Sequence, residues 1–156
     1  MQHYVIKPAL SVVGLWSKSA EILLTGTFLV ESNGIYLKQI TAPTTGGQGF
    51  FQIEPATHRD VKKWLNAYIN KQLLDYILAA CYISILPTDD DVLVYNLRYA
   101  TLIARLVYHR SPKPLPAEHD ARAMAEYHKT VYNTLLGKAA VETNTRIFER
   151  VINGEI

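Results

Sequence analysis

With 156 residues, a net charge of +2 and a pI near 8.6, the chain has the length of one domain and a mildly basic balance. That charge favours approach to an anionic surface, but there is no basic run or aromatic-basic interleaving to support a nucleic-acid partner. A hydrophobic share of 49% is ample for a core, the single Cys81 excludes an internal disulfide framework, and the five histidines show no metal-ligand spacing, so neither metal nor cofactor is expected.

The opening Met1-Gln-His-Tyr-Val-Ile-Lys7 lacks the charged, apolar, small-residue order of a signal peptide. Helical spacing then begins at about Val12 and runs to Ser32, through Leu15, Ser19, Ile22, Leu23, Gly26, Leu29 and Val30. Leu24 and Phe28 widen the apolar face, so this first long helix is expected to be buried over much of its circumference. Asn33-Gly34 is its stop, since both residues accept the left-handed conformation. From Ile35 to Phe51, β-formers mix with Pro43 and the Gly46-Gly47-Gln48-Gly49 cluster, which predicts a loop or a small irregular hairpin.

Thr57 predicts the cap of a short helix through Tyr68, with Asp60 in its first turn. A further helix is expected from about Lys71 to Leu86, stopped by Pro87, with Cys81 as a buried structural thiol. Thr88-Asp-Asp-Asp91 starts the next, Val92 to Arg110, with Leu93, Leu97, Ala100, Ile103, Ala104 and Val107 on one face. After the connector Ser111–Pro116 come a helix from about Ala117 to Asn133, a break near Gly137 and an amphipathic helix from Ala140 to Ile152. The longest apolar runs, Ile22–Val30 and Ile77–Leu86, are about half a membrane span, so no membrane insertion is expected. The expected architecture is one mainly helical domain over residues 1–156, with a glycine-rich loop or β insertion after the first long helix.

Glu31 stands out chemically. It follows Thr27 and Phe28 by one helical turn and Leu24 by two, so the helix surface beneath it is apolar. Desolvation there disfavours the charged carboxylate, as a general acid requires; the plain alternative is a solvated glutamate at a helix end. A second carboxylate, Glu54, follows just past Gly47-x-Gly49-x-x-Gln52. Glycines there let backbone approach a ligand, and Gln52 offers both a donor and an acceptor. Acid-catalysed glycoside cleavage uses such a pair, with the second carboxylate acting as base or nucleophile.

At these residues the sequence resembles the lysozyme-like superfamily, specifically goose-type lysozymes and soluble lytic transglycosylases. Glu31-Ser32 matches the Glu-Ser that ends their buried helix, Gly49-Phe50-Phe51-Gln52 matches their Gly-Leu-Met-Gln, and Pro55-Ala56-Thr57 resembles a transglycosylase Pro-x-Thr. Asn96-Leu97-Arg98-Tyr99 sits where their long central helix begins. Tyr132-Asn133 keeps the Tyr-Asn of a third motif, although Leu135-Leu136-Gly137 replaces its Ala-Gly.

The resemblance implies a mainly α (α+β, lysozyme-like) domain that cleaves the β-1,4 bond between N-acetylmuramic acid and N-acetylglucosamine in bacterial peptidoglycan. Glu31 would be the acid and Glu54 the base of a hydrolase. Ser32, Gly49, Gln52 and Asn133 would contact the sugar, Phe50 and Phe51 would line a groove or pack in the core, and Tyr132 would sit by Glu31. His58 is expected as a local cap or a substrate contact. His128, on a polar helix face, is expected in solvent. Tyr95 and Tyr99 form either a groove wall or core packing. No second acid stands in Ile35–Gln48, where goose-type enzymes often carry one, which keeps a transglycosylase yielding anhydro sugars in view.

The small size and the absence of a leader pattern are similar to phage-encoded wall-degrading proteins. They imply synthesis in a host cytoplasm and delivery to the wall by a virion, with other virion proteins as partners, or by holin-assisted release. The non-enzymatic alternative is a virion structural protein that kept the fold without turnover.

Overall fold

The computed structural model describes residues 1–38, 46–68, 71–132 and 138–156, and its architecture is mainly helical. A π-helical turn, Gln2–Ile6, runs into α1 (Lys7–Val12), with Pro8 in the first turn where a missing N–H costs nothing. This segment was not expected to be helical. Its signal is Ile6, Ala9, Leu10 and Val13, all buried and spaced for one helix face.

The first long helix opens later than the periodicity predicts. Ser17 caps α2 (Lys18–Ser32) by accepting from the Ala20 amide at 3.1 Å, and Gly14 takes a positive φ just upstream. Every residue from Ala20 to Thr27 is buried, as expected of a helix apolar on most of its circumference. Glu21 is buried among them because Trp16 Nε1 donates to its carboxylate at 2.7 Å and Lys18 Nζ lies 3.3 Å away. Asn33, at φ 51°, ends the helix as predicted.

The glycine-rich insertion is held by two antiparallel bridges, Lys38 to Gln48 and Gln48 to Ile53. The Gly49 amide donates to the Leu37 carbonyl at 2.7 Å, and Gln48 and Ile53 exchange backbone hydrogen bonds. It leads into α3 (Pro55–Tyr68), which begins at Pro55 rather than Thr57. α4 (Lys71–Ala80) ends well before Pro87, since Tyr82 turns the chain at φ 57°. Cys81 is buried there, and desolvation pushes its thiol up to about 12, which makes it inert.

The single helix expected over Val92–Arg110 is two, α5 (Val92–Tyr95) and α6 (Leu97–His109). Asn96 makes the break: its side-chain oxygen accepts from the Tyr99 amide at 3.0 Å, and its side-chain NH2 donates to the Cys81 carbonyl at 2.9 Å. From Tyr99 to Tyr108 α6 is buried throughout and forms the centre of the core. Asp120 caps α7 (Ala121–Val131) through the Ala123 amide. α8 (Lys138–Ile152) packs on α7 and α2, with the Phe148 ring seated where any side chain at Gly26 would stand. Among the described residues no helix is long and apolar enough to cross a membrane.

Candidate functional site

Glu31 lies on the last turn of α2 with only 12% of its side-chain surface exposed. Its neighbour Ser32 is buried and turned inward. The Ser32 hydroxyl donates to the Phe28 carbonyl at 3.1 Å and accepts from the Gly34 amide at 3.2 Å, so it finishes the helix. The carboxylate is thereby presented at a rigid helix end.

Facing Glu31 is a residue expected in solvent. His128 on α7 is fully buried, with Nε2 3.0 Å from Glu31 Oε1. His128 Nε2 makes no hydrogen bond in this arrangement, so the contact is an electrostatic one. The solvent expectation for His128 is corrected because the helix buries a different stripe. Ala121, Met124, Ala125 and His128 fall at i, i+3, i+4 and i+7, and that spacing was the signal that would have found it.

The imidazole ends a column of stacked rings. His128 lies over Tyr132 at 5.6 Å, Tyr132 over Tyr108 at 5.1 Å, and Tyr108 over Tyr127 at 5.7 Å, each pair within 26° of parallel. The Tyr108 hydroxyl sits 2.7 Å from Thr27 Oγ1, whose own proton goes to the Leu23 carbonyl, so Tyr108 donates to Thr27. Burial pushes the phenols of Tyr108 and Tyr132 well up, and the negative charge of Glu31 adds to the effect on both. Both remain neutral donors.

The Tyr132 hydroxyl donates to the Phe51 carbonyl at 2.9 Å, which ties the end of α7 to the glycine-rich loop. The same loop is tied to α2 by Phe28, whose ring meets Phe50 at 5.4 Å and Phe51 at 6.3 Å edge to face. Phe51 is in the core and Phe50 is half-buried. Gly49 has a φ of 67° and lies against the Leu93 carbonyl, so only glycine fits. Gln52, at φ 46°, folds back and donates its side-chain NH2 to the Gly49 carbonyl at 2.8 Å and more weakly to that of Tyr36 at 3.3 Å.

Glu54 stands exposed at the entrance to α3, its backbone carbonyl accepting from the His58 amide. Among the described residues no hydrogen bond or ion pair engages its carboxylate. His58 and Tyr99 are fully buried and bonded to each other: His58 Nε2 lies 2.8 Å from the Tyr99 hydroxyl and Nδ1 2.6 Å from Asp90 Oδ1. Desolvation holds His58 below its ordinary value of 6.5, against the raising effect of the Asp90 hydrogen bond. The neutral ring therefore donates from Nδ1 to Asp90 and accepts at Nε2 from Tyr99, which burial keeps protonated. These residues join α3, α6 and the segment before α5, and they lie beneath the surface. Tyr95, by contrast, is exposed. Asn133, with the rest of the third motif behind it, lies outside the described residues.

The depressed His58 has a consequence for acid stability. As pH falls through 6.5 the unfolded chain takes up this proton first, so it binds more protons than the native state and stability declines. The urea midpoint is expected to drop between pH 7 and pH 5, and to drop less in His58→Gln; equal declines in both would show that His58 is not the group responsible.

Compared with protein-family models, with curated proteins and with solved structures, the chain matches none. The site therefore rests on its own geometry. Three segments far apart in sequence, around Glu31, Gly49–Gln52 and Tyr132, meet through named contacts, and His128 joins them. Among the described residues no group of three His, Cys, Asp or Glu side chains converges as metal ligands.

Proposed function

We propose that this chain cleaves bacterial peptidoglycan between N-acetylmuramic acid and N-acetylglucosamine, with Glu31 as the general acid. The observation that carries the reading is the convergence at Tyr132: its hydroxyl holds the Gly49–Gln52 loop through Phe51, and its ring backs the imidazole that touches Glu31. A carboxyl at a rigid helix end, largely shielded from water and beside a loop of close-approaching backbone, suits proton donation to a glycosidic oxygen. Phe50 and Gln52 are the loop side chains with surface left for a sugar, while Ser32, Phe51, His58 and Tyr99 are buried.

In the hydrolase, Glu54 takes a proton from water as that water attacks the anomeric carbon. A transglycosylase is favoured by one observation: Glu54 stands exposed, with no contact among the described residues joining it to Glu31 or Tyr132. There the sugar's own hydroxyl attacks and no second carboxylate is needed. In either case the substrate is the bacterial wall, reached through a virion or by holin-assisted release.

Digestion of purified peptidoglycan, with the released muropeptides identified by mass spectrometry, tests both. Reducing-end muramic acid, lost in Glu54→Gln, is the expected hydrolase result. Products lighter by one water, retained in Glu54→Gln, identify the transglycosylase. Intact peptidoglycan after exposure to the folded protein overturns the proposal in favour of a structural role.

A further inference from the structure

We propose that Arg105 anchors a binding site for a small oxyanion, a carboxylate or phosphate group held by its guanidinium. The site lies where α6 meets the turn between α1 and α2, and it does not depend on the glycosidase reading.

Arg105 is only 8% exposed, on a helix whose other residues from Tyr99 to Tyr108 are uncharged and buried. A guanidinium carries five N–H donors. Here Nε donates to the Leu15 carbonyl at a long 3.3 Å, while Nη1 is buried and has no hydrogen-bond partner among the described residues. The described residues include all 14 Asp and Glu side chains of the chain, and none of them forms an ion pair with Arg105.

A lone buried charge carries a desolvation cost that an opposite charge repays. Lysine and histidine escape that cost by losing a proton, whereas arginine keeps its charge. Burial pulls the pKa of Arg105 below its ordinary value, and the influence opposing burial is Tyr127, not a carboxylate. The charge is also felt along the helix. His109, one turn further on, is held below its ordinary value first by desolvation and then by Arg105.

The bond to Leu15 does not account for an arginine at this position. One long bond to a carbonyl makes little use of a planar fork of donors, whereas a carboxylate or phosphate takes two parallel N–H···O bonds from it. The turn itself is bordered by basic side chains. Lys7 lies over the ring of Trp16, the residue after Leu15, at 5.1 Å, and Lys18 opens α2. Glu21, the acid of that helix closest in the chain to Leu15, is already engaged by Trp16 Nε1 and Lys18. An anion from outside the chain is what this charge lacks.

The test is the melting midpoint of the whole protein in sodium phosphate and in sodium acetate, each against sodium chloride at equal ionic strength. Wild type is compared with Arg105→Met. Methionine keeps an unbranched apolar stem without the charge, so in chloride the variant is expected to melt no lower than wild type. Phosphate also stabilises folded proteins by exclusion from their surface, and the variant measures that background. In phosphate, in acetate or in both, wild type is expected to gain about 3–6 °C more than the variant at roughly tenfold above the anion's Kd. A response to phosphate alone identifies a phosphate site, and a response to acetate alone a carboxylate site. Equal gains in the two proteins would overturn the proposal, as would no gain in wild type from either anion. A second readout uses wild type alone: the Arg105 Nε–H resonance, assigned through its own side-chain carbons, is expected to shift and saturate as the anion is added. A resonance unmoved by phosphate and by acetate would sink the site even if Arg105→Met failed to fold, and leave Arg105 a tie for Leu15.

Discussion

Glu31→Gln is expected to reduce muropeptide release by about a hundredfold to ten-thousandfold, the range general-acid catalysis contributes, with little change in melting temperature. Glutamine keeps the volume of the side chain and a polar atom facing His128 Nε2, so the contact across 3.0 Å survives as a neutral one. What is lost is the transferable proton. Truncation is a poorer test: Glu31→Ala leaves a buried imidazole unmatched, at a cost of about 1–3 kcal/mol, and a fall in activity would then mix catalysis with folding. Muropeptide release in Glu31→Gln at a rate comparable to wild type would remove Glu31 from the chemistry altogether.

The largest stability effect is expected at Gly49. A Cβ there meets the Leu93 carbonyl, which is backbone and does not swing aside, and φ of 67° is itself strained for an L-residue. Together these put the loss in Gly49→Ala at about 3 kcal/mol, or roughly 6–12 °C in melting temperature for a chain of this size. Gly14 separates the two causes. Its φ is 69°, yet no atom lies within 4 Å of its Cβ position, so Gly14→Ala carries the backbone strain alone. Differential scanning calorimetry is expected to show the Gly49 variant losing at least twice what the Gly14 variant loses. Equal losses would mean that the loop moves freely off α5 and does not hold its position by the site.

What the sequence made legible was local. Asn33-Gly34 ended α2, Cys81 was buried, and the helical periods of α3 and α8 lay within two residues of their observed spans. Two of the misjudged boundaries share one cause, a polar side chain capping a backbone group, while α4 is cut short by the turn at Tyr82. Ser17 starts α2 five residues later than the apolar spacing, and Asn96 splits one period into two helices by holding the Tyr99 amide and the Cys81 carbonyl. Neither is visible when only apolar positions are tracked. At the site, Glu31 and Tyr132 were legible as motif residues, while the solvent position expected of His128 was set by the polar residues around it. Its partner is distant in the chain, and no local pattern records that a carboxylate waits on another helix. The inward turn of Ser32 toward its own helix was hidden for a related reason: a hydroxyl able to bind a sugar equally well ends a helix.

The seating of Phe148 against Gly26 also orders events in time. During synthesis α2 leaves the ribosome first, with the hollow at Gly26 empty and Glu31 at its end facing water. α7 follows much later with His128, and only α8, later still, brings the ring that fills the hollow and braces the imidazole. Domains fold as units as they emerge, and pairings this distant in the chain form slowly. In a nascent chain the contact between Glu31 and His128 therefore waits for α7, and the ring that braces His128 arrives only with α8 and the completed fold.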